Sequence, residues 1–149
     1  MKQTEVINKL NELHMELQKD LLIEAEDPFS SYDASNNTYI VEIKSRDKTY
    51  DSWIIEKIKF DSNIVKAIEE SKSFIYLTEC NGKIMTWNIN RMIAANYDFK
   101  WEYRDMPGTT EFNNKEIIAK EVGYLHKADA KVHTKEILWA TYQWTKQTY

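Results

Sequence analysis

TYIVEIKS, residues 38–45, is the stretch on which the fold turns. It is rich in β-branched and aromatic residues, the composition of a strand. Side chains in a strand alternate between faces, so Tyr39, Val41 and Ile43 point one way and Ile40, Glu42 and Lys44 the other. A carboxylate and an ammonium are thereby held on one face of a rigid element, roughly 7 Å apart at their Cα atoms. Upstream, Ser35-Asn36-Asn37 supplies turn chemistry, and residues 29–34 form a short mixed run before it. Two short runs joined by such a turn predict a β-hairpin.

Working outward, residues 4–22 predict an amphipathic helix. Val6, Leu10, Leu13, Leu17 and Leu21 recur at spacings of three and four and share a face, with Thr4 as N-cap. Pro28 stops any continuation, because the residue before proline avoids helical angles. After the polar exit Arg46-Asp47-Lys48, Asp51 or Ser52 is read as the cap of a second helix carrying Trp53, Ile54, Ile55, Ile58 and Phe60. Residues 61–72 continue it or form another, with Ile64, Val65 and Ile68 on one side. Residues 74–79 (FIYLTE) and 83–88 (KIMTWN) flank Asn81-Gly82, the strongest short hairpin signal in the chain. Beyond it, residues 92–103 are aromatic-rich and fit helix or strand, and Met106-Pro107-Gly108 reads as a turn. Residues 115–120 and 134–144 have helix character. Helices and strands interleave, so one sheet covered by helices is the economical α/β architecture. The expected organisation is a single domain, with a core over about residues 4–89 and a mixed C-terminal extension over 90–149.

The bulk properties suit a globular chain of one domain: 149 residues, 42% hydrophobic and 30% charged. Three glycines and two prolines leave little room for flexible linkers. A net charge of −4 excludes nucleic-acid binding through bulk charge, so such binding would need a local basic patch. Cys80 is the only cysteine, which rules out an intrachain disulfide and fits a reducing compartment. The polar, periodic N-terminus lacks the apolar core of a signal peptide, and no run has the roughly 20 apolar residues of a membrane span. The expected location is cytoplasmic, without a membrane partner.

The chemistry centres on the strand. Asp33 lies nine residues before Glu42, on the other arm of the predicted hairpin, where a tight turn brings the two carboxylates side by side. Adjacent carboxylates repel, and a hard cation relieves the repulsion. Mg²⁺ is commonly held by one or two carboxylates together with waters and phosphate oxygens. Lys44 is then placed to orient a water or to stabilise developing negative charge. Such parts suit hydrolysis of a phosphodiester. The competing reading is a Glu–Lys salt pair on an exposed strand face, worth little energetically.

Asp33 followed by Glu42-Ile43-Lys44 on a strand resembles the PD-(D/E)XK nuclease superfamily, and the element order over residues 4–89 is similar. The resemblance implies a restriction-endonuclease-like mixed sheet flanked by helices, as in junction resolvases and phage-type endonucleases. It further implies Mg²⁺ or Mn²⁺ on Asp33, Glu42 and the carbonyl of Ile43, with Lys44 as the catalytic lysine. The implied activity is a metal-dependent endonuclease or junction resolvase acting on duplex, single-stranded or branched DNA, leaving 5′-phosphate and 3′-hydroxyl ends. A homodimer is expected if both strands are cut. Asp33 follows Tyr32 rather than proline, and the next helix offers Glu56, Lys57 and Lys59 where many members carry a glutamine. Glu12 or Glu16 of the first helix, Glu24, and Glu56 are the candidates for a further carboxylate at such a site. Arg46, Lys48, Lys57 and Lys59 either contact phosphates or form a solvated face. The alternative function is a non-catalytic interaction protein on the same scaffold.

Other features favour structural roles. Trp53 is expected in the core. Trp87, Tyr97, Phe99, Trp101 and Tyr103 stack on bases or, more commonly, fill a core or interface. His14, His126 and His133 have no metal-ligand spacing with Cys80 and are expected at the surface; Cys80 is expected in a buried or turn position. Thr110 is read as a helix cap. No phosphate-cradling glycine motif or nucleophile-elbow motif is present.

Overall fold

The computed structural model describes residues 3–17, 22–107 and 116–133, with the side chains of the first helix described as far as residue 12. The chain runs α1 (Gln3–Leu17), β1 (Ile23–Glu24), β2 (Ala34–Ser35), β3 (Tyr39–Ser45), β4 (Ser52–Glu56), α2 (Lys57–Glu69), β5 (Ser73–Cys80), β6 (Lys83–Asn88), α3 (Ile89–Ala94), β7 (Glu102–Pro107), β8 (Ile117–His126) and β9 (Lys131–His133). The strands form a six-stranded sheet of order β1-β2-β3-β5-β6-β9 and a three-stranded sheet of order β4-β8-β7. The architecture is mixed α/β, with a mixed sheet flanked by helices.

β3 is the centre of the larger sheet, antiparallel to β2 and parallel to β5. A parallel return needs a long crossover, which β4 and α2 supply. Its alternation separates two apolar layers. Val41 and Ile43 pack with Val6 and Ile7 of α1, whereas Ile40 joins Trp53, Ile55, Phe60, Phe74, Tyr76 and Leu125 on the other side. Both faces are covered, which explains the apolar density of the strand. The hairpin at Asn81-Gly82 forms as expected. Both turn residues have positive φ (51° and 83°), the requirement of a type I′ connection, and Cys80 pairs with Lys83 across it.

Several expectations are corrected. The first hairpin is real, but its leading arm is only the two residues of β2, paired Ala34 to Val41 and Ser35 to Ile40. Thr4 does not cap α1: it lies inside the helix, and its hydroxyl reaches the Glu24 carboxylate at 3.3 Å. Leu22, the expected end of that helix, lies outside it. Residues 52–56 are a strand, not a helix. They pair antiparallel with residues 122–126 of β8 and bury Trp53 and Ile55 on one side. The run SWIIE satisfies either period over five residues, and pairing with β8 decides it. The helix begins only at Lys57. It buries Phe60, Asn63 and Ala67, leaving Val65 and Ile68 55% and 67% exposed, so the predicted apolar side was rotated.

Residues 117–126 also form a strand where a helix was expected over 115–120, and Met106 and Pro107 belong to β7 rather than a turn. The smaller sheet is therefore an addition to the single sheet expected. Its β8 strand comes from beyond residue 89, yet Leu125 lies in the same core as Ile40. Trp87 and Phe99 are buried core residues, Tyr97 and Trp101 pack against that core, and Tyr103 is exposed. Cys80 is buried. Thr110 and residues 134–144 lie outside the described residues, as does the side chain of His14. Among the described residues no helix is long and apolar enough to cross a membrane.

Candidate active site

Glu42 projects from the middle of β3 into the side of the sheet occupied by α2 and β4. It is only 3% exposed. Isolated burial of a carboxylate is costly, so partners are expected. Two cations supply them. Lys44, two residues along the same strand face, places Nζ 3.6 Å from Oε1, and Lys59 from the first turns of α2 places Nζ 3.4 Å from the same oxygen. Oε2 is buried and has no hydrogen-bond partner among the described residues.

Asp33 reaches the site from the residue before β2. Its Oδ2 accepts a hydrogen bond from the backbone N–H of Ile43 at 2.7 Å. That bond fixes the edge of β3 on which Ile43 presents its peptide groups. The N–H and C=O of one strand residue leave on the same edge. The Ile43 carbonyl is thus on Asp33's side of the strand, beyond the end of β2. Hairpin register and strand alternation together bring Asp33, Glu42, Ile43 and Lys44 to one place.

The electrostatics are those of a desolvated carboxylate pair. Burial raises the Glu42 carboxyl above its ordinary range; Lys44 and Lys59 oppose this, while the Asp33 charge adds to it. Asp33 is also raised, first by burial, against the Ile43 N–H bond and the two lysines, with Glu24 adding repulsion. Burial would depress Lys59, but Glu42 and Glu56 outweigh it and hold the ammonium above its usual value.

The remaining expected residues divide. Glu24 is close enough to Asp33 to repel it and is held at the start of α1 by Gln3 and Thr4. Glu56 ends β4 and forms a 2.6 Å ion pair with Lys120 of β8. Arg46 lines a cleft of about 310 Å³ together with Glu42, Lys44 and Glu56. Lys57 turns away: it pairs with Asp61 at 3.4 Å and stands 4.4 Å over the Trp101 ring. Lys48 lies on the exposed loop between β3 and β4, outside that cleft. Glu12 belongs to α1, which covers the opposite face of β3; the side chain of Glu16 lies outside the described residues.

Residues not singled out for the site also line the cleft. Tyr76 is the parallel neighbour of Glu42, and its hydroxyl donates to the Ile54 carbonyl at 3.0 Å. Tyr50 and Trp53 form one wall and Met106 of β7 contributes another side. Nothing in sequence spacing signals Tyr76 or Lys120, since each depends on a pairing register between distant segments.

The donors present are hard oxygens: Asp33, the free Oε2 of Glu42 and a backbone carbonyl, a set compatible with Mg²⁺ or Mn²⁺. Among the described residues no group of three or more Asp, Glu, His or Cys side chains converges. An ion here would complete its shell with water and phosphate oxygens, as Mg²⁺ commonly does. No protein-family model matches the chain, and no curated protein sequence matches it.

Proposed function

We propose that this protein is a divalent-metal-dependent phosphodiesterase acting on DNA, with Asp33, Glu42 and Lys44 as its centre. The observation that carries the reading is the buried Oε2 of Glu42, unpartnered among the described residues, on a carboxylate that the Asp33 charge repels and that two lysines face at the opposite oxygen. Such a buried ion cluster is weak evidence for a stabilising role, because apolar residues of similar volume often serve as well or better. A carboxyl raised by burial and lining a cleft, as Glu42 is, points to chemistry.

Asp33, Glu42 and the Ile43 carbonyl would hold the ion. Mg²⁺ or Mn²⁺ supplies charge that activates water and neutralises a phosphate oxygen. Lys44 offers its ammonium to the charge developing on the phosphate, and its anchoring on β3 limits reorganisation. Lys59 contributes a second positive charge from α2. Asp33 is oriented by the Ile43 N–H, which keeps one carboxylate oxygen on the strand and leaves the other for the ion.

The test is Mn²⁺-dependent nicking of plasmid, single-stranded and four-way-junction DNA, with Glu42→Ala as control. Calorimetric titration with Mn²⁺ accompanies it, wild type against Asp33→Asn. Metal-dependent cleavage lost in Glu42→Ala, with Mn²⁺ binding lost in Asp33→Asn, is the expected result. Absence of Mn²⁺ binding by the wild type would sink the reading and leave a non-catalytic interaction protein.

A further inference from the structure

From the cleft beside Glu42 we infer that the substrate presents an unpaired nucleotide, whose base stacks on Tyr50 while its phosphate lies at Lys44 and Arg46. This rests on the phosphodiesterase reading above and specifies the substrate class of the same site.

Size is the first argument. The cleft measures about 310 Å³. That is the lower end of small-molecule sites, which run from about 300 to 1,000 Å³. That volume matches one nucleotide better than a stacked base pair.

Charge is the second. The lining carries Lys44 and Arg46 against Glu42 and Glu56, so its formal charges cancel, and the whole chain has a net charge of −4. Binding of duplex through counterion release requires many phosphate contacts. Here the electrostatic contribution is small, and affinity must come mainly from stacking, which every base supports because each has a π-face.

The wall offers a stacking face. Tyr50 is 46% exposed. Its ring meets Trp53 at 83° with centroids 5.2 Å apart, a perpendicular contact that orients the ring without covering both faces. The loop that carries Tyr50 is tied to the β5–β6 turn region: Thr49 Oγ1 donates to Cys80 Sγ at 3.3 Å and Asn81 Nδ2 to the Asp47 carbonyl at 3.5 Å. The floor is already committed, since the Tyr76 hydroxyl donates to Ile54. The cleft thus has a platform for a base, and its buried tyrosine has no proton left to donate to a base edge. Recognition of an unpaired nucleotide mainly through stacking is the consequence.

The experiment measures equilibrium binding in chelator by fluorescence anisotropy. The probes are oligothymidylate, an abasic strand of equal length and a duplex, and the proteins are wild type, Tyr50→Ala and Tyr50→Phe. Stacking on one aromatic ring predicts about tenfold or greater preference for oligothymidylate over the abasic strand. Tyr50→Ala removes that preference, while Tyr50→Phe keeps it. Equal affinity for the three probes, no binding to any, or an unchanged preference in Tyr50→Ala would overturn the inference. Mn²⁺ titration and plasmid nicking by Tyr50→Ala separate the two proposals. If both persist while the probes bind equally, the phosphodiesterase reading stands and this one falls. If the stacking preference is present but the wild type takes up no Mn²⁺, the phosphodiesterase reading falls and the cleft remains a nucleotide-binding site.

Discussion

Lys59 Nζ stands 3.4 Å from Glu42 Oε1, on the oxygen that Lys44 also faces, so a helix cation and a strand cation neutralise one buried carboxylate from one side. The opposite oxygen has no partner among the described residues. Removing either cation changes the charge that an incoming ion meets. Lys59→Ala is expected to bind Mn²⁺ several-fold more tightly than wild type, because a like charge has been taken from the site. Asp33→Asn is expected to abolish binding. Calorimetry on the two variants checks the pair of signs.

Cleavage should depend on groups that touch the phosphate or its ion. Glu42→Ala and Lys44→Ala are each expected to lower Mn²⁺-dependent nicking by at least about a hundredfold, the scale of losing a preorganised electrostatic contact. Both should stay folded. The lysines left behind by Glu42→Ala are partly exposed and turn to water, and circular dichroism should show native secondary structure. Unchanged nicking in either variant would refute the assignment.

The raised carboxyls make a signed prediction about pH. A carboxyl whose pKa is higher folded than unfolded binds its proton more tightly in the native state, so stability declines as pH rises from the unfolded value through the folded one. Glu42 and Asp33 both behave in this way. Glu42→Gln should therefore gain stability relative to wild type as pH increases from about 4 upward, the ordinary glutamate range. Urea denaturation at a series of pH values without divalent ions measures it. Saturating Mn²⁺ should restore wild-type stability at the upper end, since a ligand that binds only the native state stabilises it.

The junction between the smaller sheet and the aromatic core has a tight point at Gly123. A Cβ placed there would meet Trp101 ring carbons at 2.8 and 2.9 Å. Gly123→Ala is expected to destabilise the protein by about 1–3 kcal/mol, the usual cost of overpacking. A urea midpoint shift at constant m-value is the readout, and Trp101→Leu should relieve part of the loss.

Within residues 38–45, alternation placed Glu42 and Lys44 on one face before any tertiary information, and the structure keeps that assignment because β3 is buried on both sides. The Asn81-Gly82 turn was equally legible, since few residue pairs accept two positive φ angles. The run at residues 52–56 was not. Its apolar residues satisfy a helix or a strand over so short a span, and hydrogen bonds to β8, some seventy positions away, select the strand. The rotated face of α2 followed from the same misplaced start.

The sequence by itself determined a strand that carries a carboxylate and a lysine on one face, a downstream hairpin and an interleaved α/β chain, because these depend on local periodicity and turn stereochemistry. Only the tertiary structure decided that Asp33 anchors on the Ile43 N–H, that Lys59 rather than Lys57 reaches Glu42, and that Tyr50, Trp53 and Tyr76 line one cleft. Those outcomes rest on pairing register and on which face of α2 turns inward. Both are set by burial of non-local apolar surface, which no local pattern encodes.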